Sequence, residues 1–193
     1  MRRAFPEVGR AKFIAAGMRV VAREGIDSTT ARKIAQEAGT SLGMVHHFFA
    51  SMEKLLISIF EHAARERIRN ALLDYDFSES TPTAGQVLKR IVHAYRLDPL
   101  PWDVYDELVN RVSRLDPNLA RKCTDEQVEH LAEVLNHGTD SEALADVSTR
   151  TAVLILAISD CMVEYRRISL DEHTIFEMID VMAKHFDNTE SKF

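Results

Sequence analysis

The chain has 193 residues, 46% apolar and 28% charged, with a net charge of −6, which is a globular composition and not that of a disordered chain. Seven glycines and five prolines are too few for the turns of an all-β sandwich, and the longest apolar run, Ala152–Ile158, falls far short of the roughly 20 residues that cross a bilayer. Residues 1–56 hold nine Lys/Arg against five Asp/Glu, while residues 57–193 hold fifteen against twenty-five. A basic unit of +4 thus precedes an acidic body of −10, the asymmetry expected when one end of a chain meets phosphate.

Helical periodicity runs through the sequence. Phe13, Ile14, Gly17, Val20 and Val21 share one face, predicting a helix over Glu7–Glu24 that Gly25 ends. Ser28-Thr29-Thr30 offers caps for a second helix, Ala31–Ala38. Gly39 ends that helix, and Ser41 caps a short third one, Leu42–Phe49. Ser51 caps a fourth, from Met52 towards Asp74, and Tyr75–Pro82 is the one plausible internal linker. The spacing then predicts Thr83–Leu97, a break at Pro99 and Pro101, and Trp102–Leu115. A seventh helix opens at Asp116-Pro117 and stops at His137-Gly138; Ser141–Arg167 and Asp171–Phe186 follow. An all-α fold of about nine helices is expected, with an N-terminal three-helix unit and a C-terminal helical body. No apolar segment follows Arg2 and Arg3, so a cytoplasmic location is expected. Cys123 and Cys161 lie far apart and outside any CxxC, as reduced thiols in a helical core would.

Two short helices joined through Gly39-Thr40-Ser41 have helix-turn-helix spacing. Ile34, Ala35, Ala38 and Val45 are the inward positions expected to lock them together. Leu42, Gly43, Met44, His46 and His47 are left outward, and Gly43, without a side chain, lets a partner approach the backbone. In a DNA-binding helix-turn-helix the start of the second helix enters the major groove.

Gly25, Thr29-Thr30, Ile34-Ala35, Glu37-Ala38-Gly39, Ser41, Gly43, Phe49 and Glu53-Lys54-Leu55-Leu56 resemble the N-terminal signature of the TetR family of bacterial repressors over residues 10–56. The stretch from Trp102 and the segment Ile158-Ser159-Asp160-Cys161-Met162 with Arg166 look most like its choline-responsive Bet branch. Two residues depart from the family pattern: His46 stands where a phosphate-gripping tyrosine is usual, and Met52 where a lysine is usual. The resemblance implies that residues 1–56 bind DNA and that residues 57–193 bind an effector and dimerise. By position it assigns Thr30 and His46 to phosphates, and Arg32, Leu42, Met44 and His47 to bases or the groove wall, with Arg32 suited to a bidentate guanine contact. Ser41 and Gly43 complete the DNA-facing set, and Arg2, Arg3 and Lys12 add nonspecific attraction.

In the body, helix eight is apolar on nearly every face around Ala152–Ile158, and helix nine carries a stripe of Ile175, Met178, Ile179, Met182 and Phe186 beside Val181. Faces of this kind must be covered, which a four-helix bundle from two copies would do. Tyr95, Trp102, Tyr105, His130 and Met162 are the candidate ligand-binding residues, with His93 and Cys123 beside them. Asp160, a carboxylate inside an apolar helix, calls for a partner, for which Arg166 and Arg111 are the candidates; aromatic faces and carboxylates suit a cationic effector.

No catalytic constellation is visible. The eight histidines never recur three or four apart, so no helix face chelates a metal through a pair. HExxH and GxGxxG are missing, and the GxSxG letters of Gly39-Thr40-Ser41-Leu42-Gly43 fall between two predicted helices, not on the strand-to-helix turn which that motif requires. The expectation is a non-enzymatic regulator without cofactor or metal: a homodimer on a pseudopalindromic DNA operator, released by a small molecule, with no membrane partner. The rival reading is an all-helical protein–protein adaptor without DNA binding, against which the basic N-terminal unit speaks.

Overall fold

The computed structural model describes residues 4–73, 81–137, 142–167 and 171–190. Among these, nine helices and no strands are present: α1 (Ala4–Glu24), α2 (Ala31–Glu37), α3 (Leu42–Phe48), α4 (Met52–Leu72), α5 (Ala84–Leu97), α6 (Leu100–Leu115), α7 (Pro117–Leu135), α8 (Glu142–Arg167) and α9 (Glu172–Glu190). The all-α expectation holds. Arg2, Arg3, most of the linker (residues 74–80), Gly138 and Ser141 lie outside the described residues, as does the side chain of Ile175.

Helix ends differ from the predicted ones where proline is concerned. Pro6 and Pro101 sit in the first turns of α1 and α6, where the missing amide N–H costs nothing. Those helices therefore begin at Ala4 and Leu100, not at Glu7 and Trp102. The break after α5 falls at Asp98 and Pro99. Asp116 opens α7 as expected, its Oδ1 accepting the Leu119 N–H at 3.0 Å.

Packing divides the chain into two compact units, one of residues 1–66 and 100–123, the other of residues 67–99 and 124–193. The boundaries fall inside α4, between α5 and α6, and inside α7. In the first unit, α1, α2, α3, the start of α4 and α6 enclose a core of Phe13, Val20, Ile34, Val45, Leu55, Ile59, Phe60 and Leu108. Phe60 and Tyr105 stack with ring centroids 5.0 Å apart. Glu107 of α6 accepts the Ile26 N–H at 3.3 Å, in the turn between α1 and α2.

In the second unit, α5 buries Val87, Leu88, Ile91, Val92 and Tyr95 along one face and packs on α9 and α8. Its start is fixed by reciprocal bonds: Thr83 Oγ1 accepts the Gln86 N–H at 3.2 Å, and Gln86 Oε1 accepts the Thr83 N–H at 3.0 Å. Asp160 is half exposed and is paired not with Arg166 or Arg111 but with Arg67 of α4, which is buried. Arg67 Nε also donates to Gln127 Oε1 at 2.6 Å. Arg166 lies over the Tyr95 ring instead, 5.4 Å from its centroid. Cys123 is buried as expected, whereas Cys161 is exposed, because it faces the groove between α8 and α9.

Candidate nucleic-acid interface

The turn between α2 and α3 is built locally. Thr30 caps α2 in an extended conformation, its hydroxyl oxygen accepting the Lys33 N–H at 3.3 Å, so its own O–H stays available as a donor. At the far end the Gly39 and Thr40 N–H groups return to the carbonyls of Gln36 and Ala35. Gly39 has φ +62°, a conformation that a Cβ disfavours. Ser41 caps α3 through its backbone, with no side-chain cap bond.

The inward set is buried as expected: Ile34, Ala35, Ala38 and Val45 are all at most 4% exposed. Leu42, Gly43, Met44, His46 and His47 are exposed together on α3. A Cβ on Gly43 would meet nothing nearer than Ser41 Oγ at 3.8 Å, so the backbone there is open to an approaching surface. Thr30, Arg32 and Ser41 are exposed beside this face. The positions assigned to DNA in the sequence are thus on the surface of one motif.

The charges around the motif divide into two groups. Arg19 and Arg23 hold Glu37 at 2.7 and 3.0 Å, while Arg23 and Lys33 hold Glu24 at 2.9 and 2.6 Å. This network clamps α1 to α2. Lys33, then Arg23, pushes the Glu24 carboxyl below its ordinary value; Arg19, then Arg23, does the same to Glu37. A second clamp, which the sequence reading missed, is Arg10. It donates to Ser58 Oγ at 2.8 Å and to the Phe48 carbonyl at 3.4 Å, and its guanidinium lies 4.6 Å from the Phe49 ring centroid. Its only sequence signal is a basic residue on the exposed face of α1. By contrast, Arg32, Lys12 and His46 make no hydrogen bond or ion pair among the described residues, and His47 only rests edge-on against Phe48 at 5.2 Å. Their polar atoms face outward. Met52 packs half-buried against the core.

A different surface lies in the second unit. Val147, Val153, Leu154 and Tyr165 of α8 and Met178, Val181 and Met182 of α9 are exposed. Between the two helices is an apolar cavity of about 270 Å³ whose walls include Leu154, Cys161, Met162, Tyr165, Met178 and Met182. Of the candidate ligand-binding residues, only Met162 lines it. Tyr95 is buried in the second unit and His130 is exposed there, 4.0 Å from Glu133. Trp102 and Tyr105 are buried in the first unit. Among the described residues no cluster of three His, Cys, Asp or Glu is placed to hold a metal, and no helix is long and apolar enough to cross a membrane.

The family described as "Bacterial regulatory proteins, tetR family" matches residues 13–59. The HTH-type transcriptional regulator BetI of Brucella anthropi is 33% identical over 66 residues, 32% of this chain and 34% of that protein. BetI of Burkholderia thailandensis is 35% identical over 60 residues, 31% of each. The chain thus matches about a third of the length of these curated relatives. Among solved structures, a TetR transcriptional regulator from Legionella pneumophila superposes with a TM-score of 0.68 at 17% identity, covering 90% of this chain and 94% of that one. The multidrug binding protein EbrR complexed with imidazole superposes with a TM-score of 0.62 at 22% identity, covering 88% and 92%. At such identities these structures establish the fold.

Proposed function

We infer that the chain, whose N-terminal domain belongs to the tetR family of bacterial regulatory proteins, is a DNA-binding transcriptional repressor and not an enzyme. The observation that carries this is the α3 face. Leu42, Gly43, Met44, His46 and His47 are exposed without internal polar partners, with Thr30, Arg32 and Ser41 beside them. Residues 1–56 are the DNA-binding part, and residues 57–193 bind the effector and dimerise. Thr30 and His46 grip phosphates, Arg32 reads a base, and Leu42, Met44 and His47 meet base edges or the groove wall.

The protein acts in the cytoplasm as a homodimer on a pseudopalindrome, its two recognition helices roughly 34–36 Å or a multiple apart. The exposed apolar faces of α8 and α9 are the dimer surface, since an apolar patch of that kind marks an interaction site. A small molecule bound in the body, with Met162 on the wall of the apolar cavity as a candidate contact, releases the operator. Its chemistry is that of organic cations and apolar aromatics, a class supported by the fold relative EbrR, which has been solved with ethidium.

A mobility-shift and footprinting experiment on the region upstream of the protein's own gene tests this reading. The expected result is a two-fold footprint whose affinity falls steeply with salt, because neutralised phosphates release counterions. A short asymmetric footprint, or affinity flat in salt, overturns it. A dimer that shifts no duplex is the behaviour of an adaptor.

A further inference from the structure

Helix α3 reads LGMVHHF. It contains no lysine, arginine, aspartate or glutamate, so its only ionisable side chains are His46 and His47. Both are exposed in its last turn, where the negative end of the helix dipole favours a cation. Neither makes a hydrogen bond or ion pair among the described residues. We propose that DNA binding by this chain is proton-coupled through His46 and His47, the operator drawing protons onto both imidazoles, so that affinity rises as pH falls through the range 8 to 6. The proposal rests on the reading of α3 as the DNA-contacting helix.

The chemistry follows from the charged groups carried by the elements next to α3, which packs on α1 and α2. From α1 come Arg10, engaged by Ser58 and the Phe48 carbonyl, and Lys12; from α2 come Arg32, Lys33 and Glu37, the last two held in the α1–α2 clamp. Glu53 and Lys54 stand at the start of α4. Carboxylates, amines and guanidinium groups ordinarily keep their charge between pH 6 and 8, whereas an imidazole changes its charge there. Phosphate favours the imidazolium, and whatever favours a protonated form on binding makes binding tighter at lower pH. A neutral imidazole still donates one hydrogen bond, so DNA is bound at pH 8, with fewer charges meeting phosphate.

The test uses the full-length chain and a duplex selected from a random pool at pH 6.5. Its dissociation constant is measured from pH 6.0 to 8.0 at several salt concentrations. We expect affinity at pH 6.0 to exceed that at pH 8.0 by at least tenfold, with H46Q and H47Q each reducing the ratio and the double variant nearly flat. The slope of log affinity against log salt should be steeper at pH 6.0 by roughly 0.9 for each histidine that meets a phosphate, of which His46 is the assigned one. Proton uptake by the wild-type protein on binding, read with an indicator dye, repeats the test without any variant. Tight binding that is flat in pH, or a double variant that keeps the full dependence, overturns the proposal and leaves the DNA-binding reading standing. Selection that recovers no duplex removes both.

Discussion

Arg67 and Asp160 form an unequal ion pair, for the arginine side chain is 2% exposed and the aspartate 49%. The cation depends on its partners, while the anion has water. Breaking a buried pair leaves an uncompensated charge and costs about 3–5 kcal/mol. Here water reaches the acidic side, so Asp160→Ala should cost less, about 1–3 kcal/mol. In an Arg67→Met background the same exchange should cost under about 0.5 kcal/mol, since no buried charge remains to be orphaned. Urea unfolding of the four proteins checks this. Equal effects of Asp160→Ala in both backgrounds would show that the pair is not coupled.

Gly85 and Asp187 make a second contact of this kind, between α5 and α9. A Cβ on Gly85 would collide with Asp187 Oδ1 and lie 2.5 Å from the Ala183 carbonyl oxygen. The carboxylate can swing away, but the carbonyl belongs to a helix. Gly85→Ala should therefore destabilise by about 1–3 kcal/mol despite alanine's better helix propensity. Gly43→Ala is the contrast, since its nearest neighbour would be 3.8 Å away. It should leave the melting temperature unchanged or raised while weakening DNA binding. The prediction fails if both glycines tolerate alanine equally in thermal unfolding.

These residues also mark what was legible in the sequence. Gly39, Ser41 and Val45 were readable because a turn, a cap and an inward position are local properties of a few neighbouring residues. The ion pair was not, because Arg67 and Asp160 are 93 positions apart and helix packing alone brings them together. Pro101 was read as a breaker because proline means opposite things in a helix interior and in a first turn. Cys161 was expected in a core as a lone thiol on a helix, outside any CxxC, and sequence does not say which face of that helix lies in a groove. The same ambiguity hid Tyr165 as a cavity wall.

Glu24 and Glu37 set an acid limit on the α1–α2 clamp. Both carboxyls lie below their ordinary value of 4.5 in the folded chain, held down by Lys33 and Arg23 and by Arg19 and Arg23. A depressed folded value means that the contribution is present above the unfolded value and is lost as pH falls through the folded one. Glu37→Gln should thus lower the melting temperature at pH 7, and the gap from wild type should narrow as pH falls below 4.5 through the lowered folded value. Because the pairs are exposed, salt should narrow the gap at pH 7 as well. A gap that persists at pH 3 contradicts this account.

The apolar faces of α8 and α9 give a test of assembly. Val181 is 66% exposed and Met182 40%, too much for residues with only a monomer core to serve. Val181→Glu places a charge in the middle of the proposed dimer face, where desolvating it has no compensation. Sedimentation should then report a monomer at concentrations where the wild type is a dimer, with little change in helicity. Operator affinity should drop with it, since two half-sites need two recognition helices. An unchanged sedimentation coefficient places the dimer surface elsewhere.

Base reading and backbone gripping should separate by mutation. Arg32 is exposed and makes no polar contact among the described residues, so its removal costs the free protein little. Arg32→Ala should weaken operator binding by about 1–3 kcal/mol and relax preference at one base position, as follows when a bidentate hydrogen-bond pair to a single base is removed. Thr30→Val removes a hydroxyl that caps α2 and is left able to donate outward. It should weaken all duplexes nearly alike, because phosphates carry no sequence information, and should also lower stability by about 1 kcal/mol through the missing cap. Met52→Lys works in the other direction. Met52 is half-buried at the start of α4, and a lysine stem can keep that packing while its ammonium reaches water or phosphate. Binding to every duplex should strengthen, and the salt dependence should steepen by roughly 0.9 in log–log slope. Fluorescence anisotropy on operator and scrambled duplexes at several salt concentrations reads all three variants. If Met52→Lys changes neither affinity nor salt slope, the start of α4 does not lie against the DNA backbone, and the docking of the whole motif must be redrawn.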